Sequence, residues 1–362
     1  MPKKKAGSSP SSIKEVMDQI NAKHPGALRL ANDPYFTIHR VPTGILAFDR
    51  LTGGGIPLGR YTEIYGNYST LKSYISSVAC AAFIKEFPDK RVMWVDSEGS
   101  FDSEWIERAG VDLDRIDVIS KPRTGEAMTE ILEIAMLSRG YCLFVVDSIA
   151  SLMPQRETEY DAGEANKAVG SAGRMTSGMM RRLTRYNQND CAFIMINQVR
   201  DAIGVVFGDP SKPTGGRAIP FYAGIRIDFR RGETIKKDVT LTGQGGKQQK
   251  RSETVARIIN MRIEKDKTGS QENATSLIMW KPKEGEIDEE ESILILGMSD
   301  GIVKRAASSI TLLPDSKKYK TVVSGWDNAK KTLASNTKLR NRMIKLIQAR
   351  TMELSSGGVI SD

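Results

Sequence analysis

A short stretch in the first quarter of the chain nearly matches a loop that binds nucleoside triphosphates. The pattern is G-x-x-x-x-G-K-[ST], and Gly66, Lys72 and Ser73 stand at its spacing, whereas Leu71 replaces the second glycine. In such a loop, backbone amides at a helix start face the phosphates, the lysine neutralises their oxygens and the hydroxyl holds Mg²⁺. With leucine the match is weak by itself. We predict that the ATP-binding segment comprises Gly66, Asn67, Tyr68, Ser69, Thr70, Leu71, Lys72, Ser73 and Tyr74.

Polar side chains at the ends of three apolar runs strengthen this prediction. The run CLFVVDS ends in Asp147, RVMWVDSEGS carries Glu98 after its apolar part, and CAFIMINQ ends in Gln198. The carboxyl ends of strands in open α/β sheets are where ligands bind. We expect Asp147 to be the second Mg²⁺ anchor beside Ser73, Glu98 to orient and deprotonate an attacking water, and Gln198 to sense a γ-phosphate.

Composition narrows the classes of function. The chain has 362 residues, of which 40% are hydrophobic, and its net charge of +9 and pI near 9.3 favour polyanionic partners such as nucleic acid. His24 and His39 are the only histidines, so a His-rich metal site and a Ser-His-Asp triad are excluded. No apolar run approaches the roughly 18 residues of a membrane span, and no apolar segment follows the basic start. We expect a cytoplasmic protein that does not contact membranes, with Cys80, Cys142 and Cys191 as buried thiols.

Alternating apolar runs and helical patterns predict an α/β core. The runs TEIYG, RVMWVDSE, IDVIS, YCLFVVDS and CAFIMINQ read as strands of a mostly parallel sheet with helices on both faces. Before this core, Ile13, Val16 and Ile20 are spaced as on an amphipathic helix, which could dock on its own domain or on a neighbouring subunit. We predict a basic start and helix over 1–36, an ATPase core over 37–285, and a small α+β C-terminal domain with a basic helix over 286–362.

Several long blocks of the sequence resemble the bacterial RecA recombinase family, including its phage relatives. They are VPTGILAFDRLTGGGIPLGRYTEIYG, WVDSEGSFD, VVDSIASLMP and MINQVRDAIGVVFGDPSKPTGGRAIPFYAGIRIDFRR. The resemblance extends over about residues 12–350. It implies a RecA-like P-loop ATPase core with an N-terminal oligomerisation helix.

The resemblance also implies roles for residues at the nucleotide site. Glu98 matches the catalytic base, Gln198 the residue that reports the γ-phosphate to the DNA site, and Asp147 with Ser148 the second magnesium motif. Asp102 and Trp105 fall where the family contacts adenine. Near the end of the core, Arg262 keeps one of two cations that reach the nucleotide of the adjacent protomer, while Asn260 replaces the other.

DNA and subunit contacts follow from the same resemblance. The DNA loops are expected at about 157–168 and 199–216, and the N-terminal helix is expected to dock on the next subunit with Phe221 across that interface. Taken alone, the arginines after residue 173 would read as a solvated helix face. The residues implied in DNA binding are Arg174, Ser177, Arg181, Arg200, Ile203, Gly215 and Gly216.

The implied function is an ATP- and Mg²⁺-dependent recombinase that forms helical filaments on single-stranded DNA and pairs that strand with duplex DNA in recombination and repair. Single-strand-binding or loader proteins are further candidate partners. Two alternatives stay open at this point. A non-hydrolysing RecA-like regulator or loader is favoured by Leu71 and Asn260, and a hexameric helicase shares the core but lacks support from the FGDPSKPTGG segment.

Overall fold

The chain separates into two compact units, Met1–His39 and Arg40–Asp362. A computed structural model describes residues 12–158, 170–187, 189–201, 211–242, 248–269 and 273–355. Among these residues, no helix combines the length and apolar character that crossing a membrane requires.

The first unit contains the predicted N-terminal helix, α1 (Ile13–Lys23). Ser12 caps it, because its side-chain oxygen accepts a hydrogen bond of 3.2 Å from the amide of Glu15. No residue of α1 is buried, and Ile13 is 77% exposed. The helical spacing is therefore confirmed, and its apolar side chains are accessible.

Fifteen strands occur in the described part of the second unit. They are β1 (Arg40–Val41), β2 (Ile56–Pro57), β3 (Tyr61–Gly66), β4 (Arg91–Asp96), β5 (Ile116–Ser120), β6 (Tyr141–Asp147), β7 (Ala192–Asp201), β8 (Ser211–Pro213), β9 (Ile225–Thr242), β10 (Gln248–Asp266), β11 (Thr275–Lys281), β12 (Glu286–Ile287), β13 (Val303–Ala306), β14 (Ser309–Leu312) and β15 (Thr321–Ser324).

One large sheet in the order β12-β11-β10-β9-β3-β7-β6-β4-β5 forms the centre of the second unit. From β9 to β5 every neighbouring pair is parallel, whereas β10, β11 and β12 extend the sheet antiparallel. The mostly parallel sheet is thus confirmed. Strand β9, which contains IRIDFRR, runs antiparallel to β10 but parallel to β3.

Helices cover both faces of this sheet, as predicted. They are α2 (Leu46–Leu51), α3 (Lys72–Glu86), α4 (Ser103–Arg108), α5 (Gly125–Leu137), α6 (Ser171–Tyr186) and α7 (Ala218–Tyr222). One apolar cluster joins α3 to one face through Ile75 and Phe83. The second joins α5 and α6 to the opposite face through Leu132, Met175 and Met179. Both faces of the central strands are buried, which explains the continuous apolar runs of these strands.

The C-terminal region combines helices and strands around its own apolar cluster. Its helices are α8 (Glu289–Ser299), α9 (Trp326–Ser335) and α10 (Thr337–Ser355), and β13, β14 and β15 form an antiparallel sheet. Asp288 caps α8 and three glutamates fill its first turn, where negative charge stabilises a helix. The second half of the acidic stretch EGEIDEEES, residues 288–292, therefore begins this helix.

Arg50 of α2 ties the core to the C-terminal region. Its guanidinium donates to both carboxylate oxygens of Asp300, at 2.8 and 2.5 Å, and to the hydroxyl of Thr351 at 2.7 Å. The two charged side chains are only 14% and 6% exposed. Removing one partner would leave the other charge buried without compensation.

Arg50→Met should lower the free energy of unfolding by about 3 kcal/mol, because Asp300 loses its buried partner. The matched control is Arg91→Met, whose pair with Asp117 is 40% and 39% exposed and should contribute less than about 1 kcal/mol. Urea unfolding of both variants measures the difference. Equal losses in the two variants would contradict the assigned role of Arg50.

Candidate functional site

The segment between β3 and α3 forms a tight turn at the carboxyl edge of the sheet. Gly66 ends β3 with φ 150°, and a Cβ at this position would lie 2.1 Å from the carbonyl oxygen of Phe229 on β9. Only glycine fits so close to the neighbouring strand. The chain then turns through Ser69, with φ 54°, and Leu71, with φ 68°, into α3. The first amides of α3 consequently open onto this edge, as in an anion-binding helix start.

Leu71 occupies the left-handed backbone conformation that glycine adopts freely. Its φ of 68° and ψ of 14° make it the N-cap of α3, without a capping side-chain hydrogen bond. That conformation costs a residue with a Cβ about 1–2 kcal/mol. The side chain is half-buried and packs against the apolar cluster under α3, which offsets part of this cost. Leucine therefore keeps the path that the glycine of the pattern would take.

Lys72 is folded back over its own loop. Its ammonium group donates to the carbonyl oxygens of Asn67 at 2.8 Å and Gly66 at 3.1 Å. Burial lowers the pKa of Lys72, while the nearby carboxylates of Asp147 and Glu98 oppose that shift. Carbonyl oxygens are neutral acceptors, so an anion at this edge would form a stronger hydrogen bond with the Lys72 ammonium group.

Asp147 lies at the end of β6 beside Ser73. The Ser73 hydroxyl donates to the Asp147 carboxylate at 2.6 Å, and Asp147 is 7% exposed. Burial raises the pKa of Asp147 to about 6; the Ser73 hydrogen bond and Lys72 oppose this shift, and Glu98 reinforces it. The two predicted metal ligands are thus adjacent hard oxygen donors of the kind that Mg²⁺ prefers.

Glu98 and Gln198 meet across the sheet edge although 100 residues separate them. The Gln198 side-chain amide donates to a Glu98 carboxylate oxygen at 2.7 Å. The same oxygen accepts the hydroxyl of Ser148 at 2.5 Å and that of Ser151 at 3.3 Å. Glu98 and Gln198 are both exposed at this edge, where each could exchange its partner for a ligand group.

An aromatic group flanks the start of α3. The ring centroid of Trp105 lies 5.9 Å from that of Tyr74 and 6.0 Å from that of Trp280 on β11. Asp102 caps α4 by accepting a hydrogen bond from the amide of Trp105 at 3.2 Å. This contact fixes the backbone position from which the indole side chain extends. Trp280 was missed by the sequence analysis, because a lone aromatic in a strand gives no indication of a neighbour 175 residues away.

Asp96 and Ser97 were also missed. The buried carboxylate of Asp96 accepts the amides of Ser100 at 2.9 Å and Phe101 at 3.2 Å, which shapes the turn carrying Glu98. The Ser97 hydroxyl donates to the carbonyl of Ser148 at 2.6 Å and accepts its amide at 2.8 Å. An aspartate whose side chain accepts amides a few residues ahead is a recognisable turn pattern, so the sequence D-S-E-G-S contained an indication of Asp96.

Helix α6 presents the predicted DNA contacts on one side. Arg174 and Arg181 are exposed, Ser177 lies between them and is half-buried, and Met175 and Met179 pack into the core from the opposite side. Spacings of three, four and seven residues place such side chains on one helix face.

The base of the second predicted DNA loop is a two-stranded ribbon. Strand β8 pairs antiparallel with the end of β7, with Arg200 opposite Lys212. The amide of Thr214 donates to the carbonyl of Gln198 at 3.2 Å, and Gly215 and Gly216 follow with φ of 90° and 75°. Ile203 and residues 159–168 of the first loop lie outside the described residues.

The predicted interface residues are accessible. Phe221 on α7 is 68% exposed, with the Lys267 ammonium 5.3 Å from its ring centroid. Arg262 is exposed on β10 and donates to the side chain of Asn273 at 2.8 Å. In α1, Ile13 and Ile20 are exposed and Val16 is half-buried.

Leu71→Gly should be more stable than Leu71→Ala by about 1 kcal/mol, because both lose the leucine packing and only alanine retains the left-handed strain. At an ordinary helix position the order is reversed, so Ala81→Gly in α3 should lose about 1 kcal/mol. Urea unfolding of the three variants measures both differences. An alanine variant as stable as the glycine variant would mean that this backbone conformation is wrong.

Asp147→Asn should change the pH dependence of stability. A carboxyl whose folded pKa is about 6 instead of 3.8 destabilises the metal-free fold as pH rises from about 4 to 6, by up to about 3 kcal/mol. The variant should therefore gain stability over the parent above pH 6 and equal it near pH 4. Asp117→Asn should instead lose stability relative to the parent as pH rises, because Arg91 lowers the pKa of Asp117. Unfolding with a chelator present, from pH 4 to 8, gives both profiles; a pH-independent difference for Asp147→Asn would contradict the burial argument.

Comparison with known proteins gives a consistent family. The family model for the RecA N-terminal domain matches residues 11–266. "Protein RecA" of Streptomyces avermitilis is 33% identical over 323 residues, which cover 89% of this chain and 79% of the relative. "Protein RecA" of Arthrobacter sp. (strain FB24) and of Frankia alni are each 32% identical, over 89% of this chain and 85% and 86% of the relatives. The chain belongs to the RecA family.

Proposed function

We propose that this chain is an ATP-dependent recombinase that forms a filament on single-stranded DNA and exchanges strands with a homologous duplex. The observation that carries the proposal is the contact of Glu98 with Gln198 at 2.7 Å. Gln198 in turn accepts the amide of Thr214 through its carbonyl. Two hydrogen bonds therefore connect Glu98, at the carboxyl edge of the sheet where the nucleotide would bind, to Thr214 at the base of the second predicted DNA loop.

ATP would bind along Gly66–Tyr74, with its phosphates at the start of α3 and its adenine near Asp102 and Trp105. Ser73 and Asp147 would hold Mg²⁺; their adjacent oxygens and the buried, incompletely neutralised carboxylate fit a cation. Held by these two residues, Mg²⁺ would supply charge neutralisation to the triphosphate.

Hydrolysis would use three side chains of this chain and one from its neighbour. Glu98 would orient the attacking water and accept its proton, and Lys72 would leave its loop carbonyls to bind the phosphates. Gln198 would exchange Glu98 for the γ-phosphate, so that nucleotide occupancy reaches the loop that begins at residue 199. Arg262 would add positive charge at the nucleotide of the adjacent protomer.

DNA would be held by its backbone and by stacking, since base pairing itself reads the sequence. Arg174, Ser177 and Arg181 would contact phosphates from α6. Arg200, Ile203, Gly215 and Gly216 would act from the second loop. The net charge of +9 agrees with a polyanionic partner.

We divide the chain into three domains, which are the 1–36 segment, the core over 37–285 and a third domain over 286–362. Filament growth would join one subunit to the next through the 1–36 segment. Exposed Ile13 and Ile20, with Val16 on the same helix, suit docking on an apolar surface of another copy, and Phe221 would lie across that contact. Helix α5 offers such a surface, with Ile134 and Leu137 at 65% and 58% exposure. We also propose cytoplasmic action, with single-strand-binding or loader proteins as partners.

A non-hydrolysing regulator is the second candidate. Two observations favour it: Leu71 is held in a left-handed conformation, and Asn260 offers no charge where a second cation is expected. The intact contact between Glu98 and Gln198 favours the recombinase.

Phosphate release from ATP, measured with and without single-stranded DNA, separates the two candidates. We expect release to require the strand, Glu98→Gln to reduce it about 10²–10⁴-fold with ATP still retained, and Lys72→Ala to abolish ATP retention as well. Glu104→Gln, an exposed carboxylate on α4, is the matched control and should keep the parent rate. ATP retention and DNA binding without hydrolysis would select the regulator instead.

A further inference from the structure

A band of polar side chains crosses the sheet inside the otherwise apolar face under α5, α6 and α7. It runs through four adjacent strands, from Asn197 on β7 to Glu63 on β3, Arg226 on β9 and Glu264 on β10. Asn197 and Glu63 are 0% exposed and Arg226 is 8% exposed. Residues of the same face on β3 and β7, such as Tyr61 and Met195, belong to the apolar cluster. A charged group in such a place requires specific partners.

Asn197 uses its whole side-chain hydrogen-bonding capacity. Its amide nitrogen donates to Glu63 at 2.9 Å and to the carbonyl of Thr214 at 2.8 Å. Its side-chain oxygen accepts the hydroxyl of Thr214 at 2.7 Å and the amide of Gln198 at 2.9 Å. Asn197 thus joins the backbone of Gln198 to the returning end of the second loop, and it does so in only one orientation of its amide.

Glu63 selects that orientation. One carboxylate oxygen accepts from Asn197, and the other accepts from the Arg226 guanidinium at 2.6 Å. Burial alone would lower the pKa of Arg226, but the carboxylates of Glu63 and Glu264 outweigh it and raise that pKa. Because Glu63 offers only acceptors, it requires the nitrogen of Asn197 to face it.

We propose that Glu63 is a positioning residue that couples nucleotide occupancy to the second DNA loop by fixing the amide of Asn197. The inference rests on the proposed function, in which Gln198 responds to the nucleotide. Neither Glu63 nor Arg226 lies among the residues that would touch ATP or DNA. Their pair gives Gln198 and Thr214 a rigid common support, so that a shift at one is passed to the other.

Glu63→Gln tests this with little change of volume. The glutamine has one acceptor, which the Arg226 guanidinium claims, so its NH₂ group faces the NH₂ of Asn197. Asn197 must then turn over, which places its oxygen against the carbonyl of Thr214 and its nitrogen against the amide of Gln198. We expect amide hydrogen exchange at Gln198 and Thr214 to become at least tenfold faster, with the amide of Val145 in β6 unchanged. DNA stimulation of ATP hydrolysis should fall at least tenfold at an unchanged KM for ATP.

The matched control is Glu264→Gln at the other end of the band, where the carboxylate is 49% exposed and water can replace it. In this control, amide exchange at Gln198 and Thr214 and the DNA stimulation of ATP hydrolysis should stay within twofold of the parent values. If Glu63→Gln folds poorly, Thr214→Val removes one bond to Asn197 at a half-buried site and should show the same two effects. In the double variant with Glu63→Gln and Asn197→Asp, the glutamine NH₂ group donates to the aspartate carboxylate. Amide exchange at Gln198 should therefore be slower than in Asn197→Asp alone. Two changes that merely destabilised the core would make that exchange faster instead.

Parent-like stimulation in both Glu63→Gln and Thr214→Val would overturn the proposal, as would unchanged exchange at Gln198. A parent protein whose ATP hydrolysis ignores DNA would refute the proposed function and the coupling with it. In that case the exchange measurement still reports whether Glu63 holds Asn197, so the two failures are distinguishable.

Discussion

The in-register parallel pairing of β3, β7, β6 and β4 decides where the strand-end side chains of the candidate site lie. Gly66 pairs with Gln198 across β3 and β7, and Asp96 pairs with Asp147 across β4 and β6. Because these strands are parallel, their carboxyl ends reach one edge, where residues 132 apart along the chain (Gly66 and Gln198) and 51 apart (Asp96 and Asp147) meet. A register shift of one residue in β7 would bury Gln198 and turn Asn197 towards the opposite, apolar face.

The charges of Asp147 and Lys72 are incompletely neutralised at this edge, which makes the edge suited to a charged ligand. The buried Asp147 carboxyl has a raised pKa and the Lys72 ammonium a lowered one, although each opposes the shift of the other. Both groups would be better solvated by ions of opposite charge than by the carbonyls and hydroxyl that they now contact. A phosphate chain carrying a divalent cation provides both ions at once.

Much of this arrangement could be predicted from sequence, because its determinants are local. Apolar runs with β-branched residues gave the central strands, and the polar residue closing each run gave Glu98, Asp147 and Gln198. What could not be predicted depends on distant neighbours or on backbone angles. The packing of Trp280 against Trp105 joins β11 to α4, and Leu71 adopts a left-handed backbone conformation that the preference of a leucine does not predict. Glu63 looked like one polar residue in TEIYG, since its partner Arg226 is 163 residues away.

The two contacts of Gln198 differ in how readily they can change. Its side chain bonds to the Glu98 carboxylate between exposed groups, where water or another acceptor can replace that partner, so that little net free energy is lost. Its backbone amide bonds to the buried Asn197, where losing a partner costs about 1–3 kcal/mol because water cannot substitute. The side chain can therefore exchange partners while the backbone keeps its connection to Thr214. In the proposed function, this difference makes the loop follow the backbone of Gln198 as a unit, and a change at the nucleotide edge reaches the DNA loop without opening the core.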